Sequence, residues 1–250
     1  MHEKNILIKT IDGNLDCRAF YTNKQNNPGV IFYMDAPAIR EELRVMCRKI
    51  AKKGYNVYLP NLFYRFGSEG KYPFNQNEYK KNNTELKKML STMHNTTNQM
   101  VVNDTKYLLE YLKQDIDINN SIGIVGYCMS GRFVVSCAAL YSEVIKATAS
   151  FYGVDICTKF SDSPHLLIKK IKGELYLAFA EKDIWVSNEQ IRHLQKALES
   201  SDINYSLDIY PKTDHGFAFP SRSTYNKNAA TLHWKKLFNL FEKNLKTTYL

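Results

Sequence analysis

Three residue types that together can catalyse acyl transfer follow one another along the chain, each shortly after a predicted β-strand. They are Cys128, Asp183 and His215. A deprotonated thiol is a strong nucleophile, an imidazole can accept its proton, and a carboxylate can orient the imidazole. Taken one at a time, an aspartate in a loop is more often a turn residue, and a single histidine is more often structural. The same three types at three successive strand ends favour a catalytic triad instead.

The cysteine lies in the sequence GYCMSG, between a predicted strand at residues 121–125 and a predicted helix at 132–141. This pattern is typical of a nucleophile elbow, a strand-to-helix turn so tight that the residues two positions to either side must be small. Gly126 and Ser130 occupy those positions. The N-terminus of a following helix lowers the pKa of a neighbouring thiol. The backbone N–H of Met129 would point to the place where an oxyanion forms.

The alternative to a nucleophile is that Cys128 is a buried core residue, because free cysteines are among the most buried residues. The other cysteines lack the elbow setting. Cys47 and Cys137 fall within predicted helices and Cys17 within a predicted hairpin, so we expect these three to pack in the core. The role of Cys157 stays open. No two cysteines form a CxxC pair and no histidines have HxH or HExxH spacing, so we expect neither a disulfide framework nor a metal site.

Predicted strands and helices alternate along most of the chain. Strands are expected at residues 30–34, 55–59, 121–125, 147–152, 175–180 and 205–210, and helices at 39–53, 101–112, 132–141, 188–198 and 229–245. This alternation predicts an α/β fold with a mostly parallel sheet and helices on both faces. In open sheets of this kind ligands bind beyond the carboxyl ends of the strands.

The N-terminal part of the chain departs from this alternation. Residues 6–10 and 15–21 surround Asp12-Gly13, and an Asp-Gly turn predicts an antiparallel hairpin at the edge of the sheet. Residues 61–78 are polar and irregular and precede a weakly amphipathic helix; long excursions of this kind in compact domains are usually functional. No linker or internal repeat divides the chain, so we expect one domain spanning residues 1–250.

Composition limits the function classes. The chain of 250 residues is 44% hydrophobic and 24% charged, as in an ordinary globular protein. It has no apolar run of about 18 residues and no apolar signal-peptide core near its start, so we expect a cytoplasmic protein with no membrane partner. The net charge of +9 invites a nucleic-acid function. Because the basic residues are scattered and no nucleic-acid-binding motif accompanies them, we expect no nucleic-acid partner.

Several motifs of the chain resemble the dienelactone hydrolase family of α/β hydrolases. They are VIFYMDA, GYNVYLPNLFYR, GYCMSGR, ASFYGV, AEKDIWVS and DHGFAFP. The resemblance implies an α/β-hydrolase fold and a hydrolase of ester or lactone bonds that needs no cofactor. It implies Cys128 as the nucleophile, His215 as the general base and Asp183 as the group that orients the imidazole. It also implies an oxyanion hole made by the backbone N–H groups of Met129 and Ala36.

Other positions differ from the pattern of the best-known family members. Asp35 takes the place of a glutamate that contacts the resting thiol, and it is one methylene shorter. Members that act on dienelactones bind a substrate carboxylate with two arginines. Arg65 matches the first of these, but Phe219 stands at the position of the second, and Arg222 lies only further along the chain.

The aromatic residues near these motifs favour a more apolar substrate than dienelactone. They are Tyr64, Trp185, Phe217 and Phe219. The sequence therefore predicts a monomeric or homodimeric thiol hydrolase that cleaves a small ester or lactone through a thioester intermediate. The alternative is a non-catalytic binding module or thiol redox sensor with the same fold. It is motivated by the missing second arginine and by the shortened acid at Asp35.

Overall fold

A computed structural model describes residues 1–22, 26–115 and 118–246. The chain forms two compact units, Met1–Asn120 and Ser121–Leu250. That the whole chain is a single domain stays a prediction. Nowhere in the described ranges is there a helix of the length and apolarity that crossing a membrane requires.

The first unit contains four strands in the order β1-β2-β4-β3. Their bounds are β1 His2–Thr10, β2 Gly13–Tyr21, β3 Asn27–Tyr33 and β4 Asn56–Pro60. The hairpin predicted around Asp12-Gly13 is present: Thr10 pairs with Gly13, and Gly13 takes a φ of 131°, which favours glycine. Strand β2 is antiparallel to both β1 and β4, whereas β3 and β4 are parallel.

Three helices complete the first unit: α1 Glu41–Ala51, α2 Asn83–Asn95 and α3 Asn98–Gln114. The spacing of Leu43, Met46 and Ile50, three and four residues apart, predicts an apolar stripe on α1, and all three are buried. Helix α2 begins after Asn82, whose side chain accepts the backbone N–H groups of Thr84 and Glu85. Residues 61–82 contain turns but neither helix nor strand, in agreement with the predicted excursion.

The second unit holds four parallel strands in the order β5-β6-β7-β8. Their bounds are β5 Ile118–Tyr127, β6 Ile145–Phe151, β7 Glu174–Lys182 and β8 Tyr205–Asp214. Parallel neighbours end at the same edge of a sheet, so the residues that follow these strands lie along one edge. Those residues are Cys128, Tyr152, Asp183 and His215.

The last two strands are longer than the sequence predicted. Glu181, Lys182 and residues 211–214 were expected to be loop because they are polar, but they extend the strands. After a register shift Lys182 pairs with Asp214, and Lys212 adopts a left-handed φ of 55° while its backbone N–H bonds the Glu181 carboxylate. Backbone pairing does not require a buried side chain, and residues 181, 182, 211, 212 and 214 are exposed to solvent.

The helices of the second unit are α4 Gly131–Leu140, α5 Asn188–Glu199 and α6 Lys227–Leu245. A 3₁₀ turn at Cys128–Ser130 leads directly into α4, and a second one, Pro164–Lys170, was not predicted. Helix α5 begins with a capping box between Ser187 and Gln190. The expected α/β class, with mostly parallel strand pairing and an antiparallel N-terminal hairpin, is confirmed.

Candidate active site

Asp183 and His215 are in direct contact. The Nδ1 atom of His215 lies 2.8 Å from Oδ2 and 3.0 Å from Oδ1 of Asp183. The Asp183 side chain is 1% exposed and the His215 side chain is 8% exposed. The Oδ1 atom of Asp183 also accepts the backbone N–H of Trp185 at 2.9 Å. Because a carboxylate accepts a hydrogen bond from Nδ1–H, this contact favours the tautomer whose Nε2 atom can take up a proton.

Cys128 lies at a strained turn. Its φ of 54° is in the left-handed region, which residues other than glycine rarely adopt. Strained backbone of this kind is common at functional sites. A Cβ atom on Gly126 would lie 2.8 Å from the Ser130 carbonyl oxygen and 2.8 Å from Cγ1 of Val134, so that position requires glycine. Ser130 itself is buried with an ordinary φ of −81°. Ser130 therefore fits the position where the elbow motif predicts a small residue.

A second close contact holds the turn after the nucleophile. A Cβ atom on Gly131 would lie 2.3 Å from the Cα atom of Gly153. The Cys128 carbonyl oxygen accepts the backbone N–H of Gly131 and, at 3.0 Å, that of Val154. Met129 is fully buried, and its N–H is the first along the chain after Cys128. The elbow predicted from GYCMSG is thus present as a strand, a strained turn and a helix.

The electrostatic state of His215 depends on its neighbours. Burial is the largest influence and lowers the pKa of His215, but the charge of Cys128 and the hydrogen bond to Asp183 outweigh it and raise the pKa from 6.5 to about 9. The Nε2 atom is buried and makes no well-aligned hydrogen bond. The imidazole is therefore coupled to the carboxylate through Nδ1, while Nε2 is left for proton transfer.

One part of the site was missed by the sequence analysis, which used ASFYGV only as a family motif. The turn Tyr152–Asp155, here called the Tyr152 turn, follows the strand next to the elbow. The ring of Tyr152 is fully buried and meets the ring of His215 edge to face at 5.0 Å. Tyr152 and Asp155 have left-handed φ values of 40° and 56°. The available signal was its position at the end of the strand predicted at 147–152, which the structure ends one residue earlier, at Phe151.

The substrate residues predicted in the second unit have different surroundings. Trp185 is 48% exposed, and its ring centroid lies 6.4 Å from that of His215. Phe217 is fully buried and stacks on Tyr210 at 4.8 Å. Phe219 is also fully buried, with its ring 5.3 Å from that of Tyr127. Only Trp185 of these three aromatic residues presents surface to solvent beside His215.

The predicted residues of the first unit are engaged by internal partners. Asp35 is fully buried, and Arg40 donates to both of its carboxylate oxygens. Arg65 donates two hydrogen bonds to Asp104, at 2.8 and 2.9 Å, and two more to Asp12.

The hydroxyl of Tyr64 contacts Asp104 at 2.9 Å and Thr10 at 2.8 Å. Ala36 is buried beyond the end of β3. The guanidinium of Arg65 therefore already has two carboxylate partners, and its predicted role with a substrate carboxylate stays a prediction.

The remaining cysteines have the surroundings expected of them. Cys17, Cys47 and Cys137 are buried, whereas Cys128 and Cys157 are partly exposed, and all five are free. Burial raises the pKa of the Cys17 and Cys47 thiols, which makes them less reactive. Among the described residues, no group of three or more His, Cys, Asp or Glu side chains is arranged to hold a metal ion.

Comparison with known proteins places these features in a family. The model of the dienelactone hydrolase family matches residues 15–245. A Synechocystis protein named "Putative carboxymethylenebutenolidase" is 27% identical over 223 residues, 88% of this chain and 87% of its own. A protein of the same name from Aquifex aeolicus is 22% identical over 230 residues, 90% of this chain and 92% of its own.

A solved structure also matches over nearly the whole chain. It is a crystal structure from Klebsiella pneumoniae, titled "Putative Dienelactone Hydrolase", with a TM-score of 0.83. The alignment covers 96% of this chain and 98% of that one at 21% identity. At this identity the likeness shows a shared fold.

Proposed function

Because the chain belongs to the dienelactone hydrolase family, we propose that it hydrolyses a small ester or lactone with Cys128 as the nucleophile. The observation that carries the proposal is that Cys128, Asp183 and His215 each follow a strand at the same edge of the sheet. Cys128, with its strained backbone, follows one strand. Asp183 and His215, which are hydrogen-bonded to each other, follow two others. An ester or lactone hydrolase of this family needs these groups and no cofactor.

The proposed reaction has two halves. In the first, His215 takes the proton of the Cys128 thiol and the thiolate attacks the carbonyl carbon; the tetrahedral oxyanion then collapses to a thioester as His215 gives that proton to the leaving oxygen. In the second, His215 takes a proton from water, the resulting hydroxide attacks the thioester, and the Cys128 sulfur leaves and regains a proton from His215 as the acid is released. Asp183 supports both halves because it holds Nδ1 of the imidazole and stabilises the imidazolium.

The oxyanion of each half needs hydrogen-bond donors. The N–H of Met129 is proposed as one donor, since it follows the nucleophile at the start of a helical segment. Ala36 is proposed as the second donor on the family resemblance alone. Each such donor is worth about 3 to 4 kcal/mol in related chemistry. The backbone of the elbow is thus expected to contribute as much to the rate as the choice of thiol.

The proposed substrate is a small molecule without a required carboxylate. Trp185 offers an exposed apolar surface beside His215, and Phe219 is a buried core residue where dienelactone-type members carry an arginine. The free state of all five cysteines supports a reducing compartment such as the cytoplasm. A monomer or a homodimer would be compatible with a site of this kind.

The proposal is tested by comparing hydrolysis of p-nitrophenyl acetate and of simple lactones by the wild-type protein and Cys128→Ala. We expect turnover to disappear in Cys128→Ala. Cys157→Ala is the matched control, because it removes another partly exposed free thiol, and it should retain full activity. Equal rates for the wild type and Cys128→Ala would rule out Cys128 as the nucleophile. Reactive Cys128 without any turnover would instead favour the thiol redox sensor or binding module.

A further inference from the structure

Arg132 lies close to the nucleophile but has no part in the reaction as proposed above. The 3₁₀ turn Cys128–Ser130 runs directly into α4, and Arg132 is the second residue of that helix. The Arg132 side chain is only 12% exposed. A guanidinium stays charged at neutral pH, so a fixed positive charge is held within the first turn after the elbow.

The partner of this charge belongs to the turn that contacts the nucleophile and the base. Nη1 of Arg132 lies 3.6 Å from Oδ2 of Asp155, and Asp155 ends the Tyr152 turn. The same turn donates the Val154 N–H to the Cys128 carbonyl and places Tyr152 against His215. The pair of Arg132 and Asp155 thus joins the first turn of α4 to the segment that contacts both reacting groups.

Charged groups act on both Arg132 and His215. Asp155, Asp162 and Cys128 act on Arg132, while Asp183 and Cys128 act on His215. Cys128 is thus coupled to both positively charged side chains. The carboxylate of Asp155 is 39% exposed, so solvent screens it more than it screens the buried guanidinium.

We propose that Arg132 is a positioning residue for the nucleophile: held by Asp155, it stabilises the thiolate of Cys128 and keeps the Tyr152 turn against the elbow. This inference rests on the proposed function. An opposite charge near an ionisable group typically shifts its ionisation by about 1 to 3 pH units. Since Asp155 offsets part of the charge of Arg132, we expect an effect near the lower limit, roughly tenfold in the thiolate population.

The test measures alkylation of Cys128 by iodoacetamide as a function of pH, with the modified residue quantified by mass spectrometry. In Arg132→Gln we expect the midpoint of the alkylation profile to rise by about one pH unit. For p-nitrophenyl acetate, we expect kcat to fall about tenfold while KM changes little. Arg132→Lys keeps the charge and should restore most of both. Lys172→Gln, which breaks an exposed ion pair with Glu143, is the matched control and should change neither.

A variant of the partner gives a second measurement with the opposite sign. Asp155→Asn removes the charge that offsets Arg132 but keeps an amide oxygen that can accept a guanidinium N–H, so the alkylation midpoint should fall, even if Arg132→Gln does not fold. A midpoint that is unchanged in Arg132→Gln and Asp155→Asn, or that rises equally in Arg132→Gln and Arg132→Lys, would overturn the proposal.

Alkylation does not depend on turnover, so failure of this inference can be distinguished from failure of the proposed function. Normal ester hydrolysis without any dependence of alkylation on Arg132 overturns only this inference. Arg132-dependent alkylation without hydrolysis of any ester supports the placement of Arg132 and overturns only the proposed function.

Discussion

Removal of the Cys128 thiol should lower the pKa of a histidine on another strand end. In the wild type, burial opposes the imidazolium of His215 most strongly, yet the charge of Cys128, the hydrogen bond to Asp183 and the charge of Asp183 outweigh it and raise the pKa to about 9, from 6.5. One pKa unit is worth about 1.4 kcal/mol, so the difference corresponds to about 3 kcal/mol in favour of the charged ring.

Cys128→Ala removes the contribution of the Cys128 sulfur and leaves burial and Asp183 in place. We therefore expect the pKa of His215 to fall from about 9 by roughly one to three pH units. Cys128→Ser should behave similarly, because a hydroxyl of nearly the same shape stays neutral. Cys157→Ala should leave the pKa of His215 unchanged.

The assay is a titration of the histidine side chains followed by NMR. The protein has six histidines, and the signal of His215 is assigned by its loss in His215→Gln. A pKa of His215 near 6.5 in the wild type, or the same pKa in the wild type and Cys128→Ala, would refute the coupling of the thiol and the imidazole.

The same coupling predicts how stability depends on pH. The folded-state pKa of His215 lies above its unfolded value, so its stabilising contribution is fully present below about pH 6.5 and is lost as the pH rises through about 9. The free energy of unfolding in urea should therefore fall between pH 6.5 and 9, and the fall should be smaller in Cys128→Ala. An equal fall in both proteins would contradict this assignment.

Three further predictions concern the acid, the substrate and the turn. Asp183→Asn should lower kcat for p-nitrophenyl acetate roughly 100-fold or more, because the imidazole loses its orienting carboxylate; full activity would contradict the triad. Trp185→Ala should reduce the preference for p-nitrophenyl hexanoate over acetate about tenfold in kcat/KM, since methylenes no longer pack on the exposed indole, whereas an unchanged ratio would exclude this surface. Gly126→Ala should lower the free energy of unfolding in urea by about 1 to 3 kcal/mol, because its Cβ would lie 2.8 Å from the Ser130 carbonyl oxygen; a wild-type value would show that the turn adapts.

Much of the fold followed from patterns within short segments. The spacing of Leu43, Met46 and Ile50 predicted the buried face of α1, and Asp12-Gly13 predicted the hairpin of β1 and β2. Such features depend on neighbouring residues, whose periodicity and backbone preferences are written directly in the sequence. The ends of β7 and β8 were placed too early, because polar residues at a strand end look like loop until their pairing is known.

Side-chain partners were beyond this kind of prediction. The sequence suggested Arg65 and Asp35 as substrate-site residues, but it gave no sign that Asp104 and Asp12 bind the first or that Arg40 binds the second. These contacts depend on how elements pack. Nor did the sequence indicate that Phe217 would stack on Tyr210 in the core.

By itself, the sequence determined the chemistry available to this protein: a cysteine in an elbow motif, followed by an aspartate and a histidine, each after a strand. Only the tertiary structure decided that Asp183 and His215 touch, and that the Tyr152 turn holds the carbonyl of Cys128. The physical reason is that residue type and local conformation are properties of short segments. Distances and pKa values instead depend on strand order, register and burial, which bring together residues far apart in the chain.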